Sequence, residues 1–311
     1  MPVPAPRVLP FGEASIAEAA ALIADGLPVA TPTETVYGLA ADATDAAAVA
    51  RVYAAKGRPA FNPLIVHVPD LAAAERIAAF DADARLLAAA FWPGPLTLVL
   101  PLRADAGVAS LVTAGLSTVA VRVPRHHAMQ ALLRACGVPL AAPSANRSGG
   151  VSPTRAEHVA ASLGAGVPLI LDDGPTQAGL ESTIVHGRTI LRPGPVTAEE
   201  VARVLGSVRA DAGSPRTPTA PGQLLSHYAP AKPLRLDALA AEPDEWLIGF
   251  GAVAGDETLS ASGDLVEAAS RLFDALHRAD AGGKPRLAVA PVPHEGLGVA
   301  INDRLRRAAH T

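Results

Sequence analysis

A single cysteine, Cys136, in a chain of 311 residues excludes an intrachain disulfide and any multi-cysteine metal centre. It closes an apolar run at the end of an expected helix and reads as a small buried hydrophobe. Aromatic residues make up only 4% of the chain, too few for a base-stacking platform, so the core has to be built from Val, Leu, Ile and Ala. Basic charge is short as well. Three lysines occur (Lys56, Lys232 and Lys284) and the net charge is −4, which argues against a protein whose main work is coating nucleic acid. No stretch of about 18 or more apolar residues is found, so no membrane-spanning helix is expected. The opening Met1-Pro-Val-Pro-Ala-Pro6 lacks the charged and apolar regions of a secretion signal, and a cytoplasmic location is the expectation. No Walker A sequence is present, and Gly249-Phe-Gly251 with Gly255 is one residue off the dinucleotide-binding spacing. His126-His127 has no third ligand near it in sequence, and adjacent helical residues point about 100° apart, so no metal site is expected.

What remains is a foldable chain. Half of it is hydrophobic and 18% is charged, and the length suggests two domains. Capping boxes are read at Ser15-Ile-Ala-Glu18, Thr154-Arg-Ala-Glu157 and Thr197-Ala-Glu-Glu200, each opening a helix. A helix from Asp45 to its stop at Gly57 carries Val49, Val52 and Tyr53 inward. Further helices are expected over 83–91, 126–135, 155–163, 264–281 and 298–309. Apolar strands are expected at Pro63–Val68, Leu96–Leu100, Thr118–Val123, Leu140–Ala142, Leu169–Leu171, Ser182–Val185, Thr189–Leu191, Trp246–Phe250 and Arg286–Ala290.

Strands and helices alternate without a regular βαβ rhythm, which points to a mixed, twisted α/β sheet rather than a doubly wound one. From Gly206 to Pro233 the composition turns to Ser, Pro, Ala, Thr and Gly without apolar periodicity, the mark of a linker. The expected division is a catalytic domain over 10–205, a linker and lid over 206–233, and a small α/β domain over 234–311.

Four segments carry chemistry. Lys56-Gly-Arg-Pro-Ala-Phe-Asn-Pro63 places two cations around a glycine, between a helix end and a buried strand. A planar fork and a mobile point charge suit phosphate oxygens there, although a helix-end lysine also complements the macrodipole. Pro143-Ser-Ala-Asn-Arg-Ser-Gly-Gly-Val-Ser-Pro-Thr154 runs from a strand to a helix N-terminus, a natural anion site with Ser144, Asn146 and Ser152 as added donors. Thr31-Pro-Thr-Glu-Thr-Val-Tyr-Gly38 crowds three threonines around an acid. Arg122, inside an apolar strand, requires a buried partner, either a substrate carboxylate or a protein Asp or Glu. His67 reads by default as a hydrogen-bonded core histidine, and Asp172-Asp173-Gly174 as a strand-ending turn.

These segments together resemble the YrdC-like family, in its long two-domain form. The resemblance rests on Pro32-Thr-Glu-Thr-Val-Tyr-Gly-Leu39, Lys56 to His67, Trp92-Pro-Gly-Pro-Leu-Thr97, Arg122-Val-Pro124, Pro143-Ser-Ala-Asn146, Glu181-Ser-Thr-Ile184 and Leu191-Arg-Pro-Gly194. It continues past the linker with Ala220-Pro-Gly222, His227-Tyr-Ala-Pro230 and Gly298-Val-Ala-Ile-Asn-Asp-Arg304. Phe61 departs from the more polar choice of many relatives. The resemblance implies an α/β domain with an open basic cavity, followed by a Rossmann-like domain. It implies condensation of L-threonine, bicarbonate and ATP into threonylcarbamoyl-adenylate with release of pyrophosphate, for a downstream tRNA-modifying transferase. By the same resemblance, Thr35, His67, Arg122, Ala142 and Ser182 would surround threonine. Lys56, Arg58, Asn62, Thr118, Ser144, Asn146, Ser152, Arg192 and Tyr228 would surround ATP, with Lys56 and Arg58 as the catalytic cations and Mg²⁺ carried by the nucleotide. The competing reading is a module that binds tRNA or double-stranded RNA without synthase activity; stable nucleic-acid binding is not expected.

Overall fold

A computed structural model describes residues 6–210 and 227–310. Among these, eleven strands form one mixed sheet in the order Arg7–Pro10, Leu169–Asp172, Val29–Pro32, Tyr37–Asp42, Leu140–Ala141, Ile65–His67, Thr118–Arg122, Leu96–Pro101, Thr183–His186, Thr189–Arg192 and Arg209–Ala210. Parallel and antiparallel pairs alternate irregularly, so the expected mixed sheet is what the chain builds. A second sheet is wholly parallel and runs Leu234–Arg235, Arg286–Val289, Glu245–Gly249, Glu257–Thr258.

Successive residues of a strand face opposite sides, and the two faces of the large sheet are covered differently. Leu39, Ala41 and Ile170 pack with Val49 and Val52 of the helix Ala46–Lys56. Ala40, Leu169 and Leu171 turn the other way, against Ile16 and Ile23 of the helix Glu13–Ala24 and Met129 and Leu132 of the helix His127–Cys136. In the middle of the sheet, Val66, Val119 and Val121 join the first layer. Their neighbours Ile65 and Ala120 form a small cluster on the opposite face with Val99 and Ile184. Alternation therefore puts His67 and Arg122, which are register partners, on that same opposite face. The functional cleft opens there.

The helix from Asp45 is as expected: the Asp45 carboxylate caps Ala47 N–H, and Gly57 ends it in the left-handed region at φ 60°. The box at Thr197 is complete in both directions. Two other boxes are not. Gly12 precedes the first helix, and the Ser15 hydroxyl donates to the carbonyls of Pro10 and Gly12 inside its first turn. Arg155 precedes the helix Ala156–Leu163, and Thr154 N–H donates instead to His158 Nδ1. The strand Arg209–Ala210 extends the large sheet into the stretch read as linker, by pairing with Thr189 and Ile190. Most of that stretch, 211–226, including the Ala220-Pro-Gly222 motif, lies outside the described residues. Where the chain is described again it is docked: Ala229 N–H donates to Gly149 O at 2.8 Å.

The second sheet is packed by the helices Leu265–Ala281 and Leu297–Ala308. Its core is shared with the first domain, since Val36, Val151 and Leu180 join Tyr228, Phe273 and Ile301 in one cluster. Among the described residues no helix is long and apolar enough to cross a membrane.

Candidate active site

One cleft gathers residues from widely separated stretches of the chain, among them Thr35, Arg58, His67, Arg122, Ala142, Ser144, Ser182, Arg192 and Tyr228. Arg122 is nearly fully buried. Its Nη1 donates to Thr35 Oγ1 at 3.0 Å, its Nε to Gly94 O at 3.2 Å, and its Nη2 lies 2.8 Å from Glu34 Oε1. The buried partner that the sequence required is thus a protein acid, Glu34. Burial alone would raise the Glu34 carboxyl, but Arg122 outweighs it and holds the acid below the ordinary carboxylate range. Nη2 and Oε1 form an ion pair at 2.8 Å, and both atoms are sealed from solvent.

Next to this pair, His67 is buried with its Nδ1 lacking a hydrogen-bond partner. It is buried as a core histidine would be, and it also lines the cleft. Burial, reinforced by Arg122, depresses its pKa to about 3, so the ring is neutral. Thr33 and Thr35 hydroxyls share a 2.7 Å hydrogen bond, and Ser182 Oγ lies 2.7 Å from Thr97 Oγ1. A guanidinium, a neutral imidazole and small hydroxyls in a dry pocket can receive a carboxylate and a hydroxyl on a small molecule.

The cations stand apart from one another in function. Arg58 lines the cleft with Nε and Nη2 bonded to the carbonyls of Asn62 (3.0 Å) and Pro63 (2.7 Å), and burial lowers its pKa to about 10. Arg192 is buried and donates to Ser182 through Nε at 3.1 Å and through Nη2 at 2.9 Å to the carbonyl and 3.2 Å to the hydroxyl. Gly194, two residues on, lies so close that an added Cβ would fall 2.5 Å from Thr183 N. Lys56 is different. Its Nζ donates to Ser144 O at 2.5 Å and Asn146 O at 2.6 Å, which ties the Pro143–Thr154 loop to the helix end; burial and then Arg58 push its pKa far down.

The remaining predicted residues divide. Asn62 is buried with neither side-chain atom hydrogen-bonded, and it is not among the residues lining the cleft. Asn146 and Ser152 lie behind the cleft wall. The Asn146 amide donates to Arg147 O and Gly150 O and shapes its own loop, while the Ser152 hydroxyl donates to Glu181 Oε1. Thr118 is half-buried at the far end of the Arg122 strand and is not brought to this cleft. Three contributors carried no role in the sequence: Glu181, His227 and Arg304. Their motifs were visible, but a role depends on contacts across domains. His227 is buried, and burial, then Arg58, Lys56, Arg192 and Arg304, keep it neutral. Phe61, the departure noted above, is exposed.

Asp173 stands beside His126 and His127, with the nearest ligand atoms of all three within 4.8 Å of one another. The helical-angle argument fails because His126 is the N-cap: its Nδ1 accepts from Ala128 N–H, and the two rings stack at 4.8 Å. Asp173 lies 2.5 Å from His127 Nε2, a partner that proximity in sequence could not reveal.

Fold and cleft define a class, a mixed α/β domain with buried cations at one sheet face, closed by a segment leading into a second domain. A family model described as Telomere recombination (Sua5_yciO_yrdC) matches residues 21–194, and one described as Threonylcarbamoyl-AMP synthase, C-terminal domain, matches 196–310. A threonylcarbamoyl-AMP synthase of Bacillus subtilis (strain 168) is 40% identical, over 97% of this chain and 94% of that protein. One of Pyrococcus abyssi is also 40% identical, over 94% and 93%. The crystal structure of P. abyssi Sua5 complexed with L-threonine superposes with a TM-score of 0.90 at 37% identity, covering 97% of each chain. The chain belongs to the Sua5/YrdC family, in its two-domain form.

Proposed function

We propose that this chain is a threonylcarbamoyl-AMP synthase, a nucleotidyltransferase that joins L-threonine, bicarbonate and ATP. The observation that carries the reading is the single cleft that brings Arg122, Thr35 and His67 together with Arg58, Ser144 and Arg192. Threonine's carboxylate is read against the Arg122 guanidinium, which lines the cleft. Ser182 and the Ala142 backbone flank it.

Bicarbonate and the threonine amine lose water to give a carbamate. A carbamate oxygen then attacks the α-phosphorus, and the bond to the β-phosphate breaks to release pyrophosphate. Negative charge grows on the phosphoryl oxygens as this happens, and fixed cations such as Arg58 and Arg192 lower the barrier most at that point. Positioning and charge suffice, so no nucleophilic side chain is needed. Mg²⁺ fits this cleft only as a passenger on the phosphates. The sole carboxylate among its described lining residues is Glu181, which is held by Arg304 and Ser152. The product would pass to a tRNA-modifying transferase.

RNA binding without synthesis is not favoured, because Arg122 and Arg192 are buried rather than displayed to a phosphate backbone. Purified chain given ATP, L-threonine and bicarbonate, without RNA, should release pyrophosphate only when all three are present. No release under those conditions overturns the reading.

A further inference from the structure

The Glu181-Ser-Thr-Ile and Asn302-Asp-Arg304 motifs meet across the domain boundary. Arg304, from the helix Leu297–Ala308, is completely buried and reaches out of its own domain. Its Nε donates to Glu181 Oε2 at 2.7 Å, and its Nη1 is held by Asp303 Oδ2 at 2.8 Å. The guanidinium also lies 5.1 Å from the centre of the Tyr228 ring. The other Glu181 oxygen accepts the Ser152 hydroxyl, and the next residue, Ser182, is the acceptor for Arg192. The C-terminal domain grips Ser152 a second time, since His277 Nε2 sits 3.1 Å from its carbonyl oxygen. Two helices of the second domain therefore brace the cleft wall from behind, where Ser152 lies, next to the Ser182 segment on which Arg192, a lining residue, is seated.

We propose that Arg304 is a positioning residue for the ATP side of the cleft, acting through Glu181 on Ser152 and on the Ser182 segment that seats Arg192. This rests on the functional reading above. Glu181 is a buried carboxylate, which is costly to ionise without a paired cation. With Arg304 in place it is ionised and accepts from Ser152, so the hydroxyl has one orientation. Without Arg304 the carboxyl turns or protonates, Ser152 loses its fixed acceptor, and the adjoining Ser182 segment that seats Arg192 loses a brace. Among the described residues, Arg122, Glu34 and Thr35 of the threonine side are bonded to one another and stand off this chain of bonds; Ser182 is the one threonine-side residue on it.

The test is steady-state kinetics on the full chain, with each KM measured separately. Arg304→Met should raise the KM for ATP by roughly tenfold or more, the loss of one charge-assisted hydrogen bond, and leave that for threonine within about threefold. Arg304→Lys should recover part of the loss. A double variant, Glu181→Gln with Arg304→Met, removes both charges together and guards against unfolding from a lone buried carboxylate. It should fold and keep the raised KM for ATP. An unmoved KM for ATP in either folded variant overturns the proposal, as does an equal rise in both KM values, which is the mark of a purely structural pair. The natural chain assayed alongside separates the two readings. If it neither binds ATP nor releases pyrophosphate, the functional reading falls and takes this one with it; if it turns over normally while Arg304→Met matches it, only the positioning role falls.

Discussion

Lys56 and Arg58 stand two positions apart yet serve different partners. Lys56 satisfies two loop carbonyls, whereas Arg58 lines the cleft. Removing each side chain should therefore separate stability from turnover. Lys56→Ala leaves the carbonyls of Ser144 and Asn146 without a donor and should cost roughly 1–3 kcal/mol in a denaturant melt, along with activity. Arg58→Ala also removes a donor, but Asn62 O keeps the Tyr53 hydroxyl at 2.8 Å, so its melting loss should be the smaller of the two, while kcat/KM should fall by roughly a hundredfold or more, the usual scale for losing a preorganised charge donor. Equal melting losses in the two variants would show that both are structural. At this scale the sequence told which residues matter better than what they touch. Arg122 announced its need for a partner because a guanidinium in an apolar strand is costly. It did not say that Glu34, flagged only as an acid among threonines, supplies the charge, because their pairing is a product of sheet order.

Helices were legible where a local hydrogen-bond device was complete. Thr197 and Glu200 exchange bonds in both directions, and Asp45 and Gly57 bracket their helix as spacing alone suggested. Ser15-Ile-Ala-Glu18 has the same letters as a capping box, but Gly12 starts the helix one turn earlier and the serine hydroxyl finds carbonyls instead. The strand Tyr37–Asp42 was missed for a related reason. Buried on both faces and carrying Gly38, it shows neither alternation nor β-branching. Replacing Thr197 by alanine should destabilise the helix Ala198–Leu205 by about 1 kcal/mol, while Ser15→Ala should cost less because that hydroxyl caps nothing. Chemical denaturation of both variants checks the order; a larger loss at Ser15 would contradict it.

The two domains meet through backbone as well as charge. Gly179 has φ +67°, and a Cβ there would lie 2.4 Å from Ala269 O and 2.5 Å from Ser270 Cα, inside the helix Leu265–Ala281. Arg155 and His158 approach Asp274 of the same helix at 3.1 and 3.4 Å. Gly179→Ala should therefore part the domains at this seam, lowering the melting temperature and opening the helix Leu265–Ala281 to protease sooner than in the natural chain. An unchanged melt with unchanged digestion would show that the seam tolerates the methyl group. Two domains could be expected from composition. That the second one braces the cleft wall of the first, through Arg304 on Glu181, could not, since it depends on which faces meet.

An open sheet of eleven strands has to end twice. Here one rim is the four-residue strand Arg7–Pro10, closing on a proline, and the other is the two-residue strand Arg209–Ala210. Both leave few unpaired amides to template a neighbouring chain, and each begins with an arginine. The broad apolar sheet that builds the cleft is thus guarded at its margins against stacking edge to edge into aggregates.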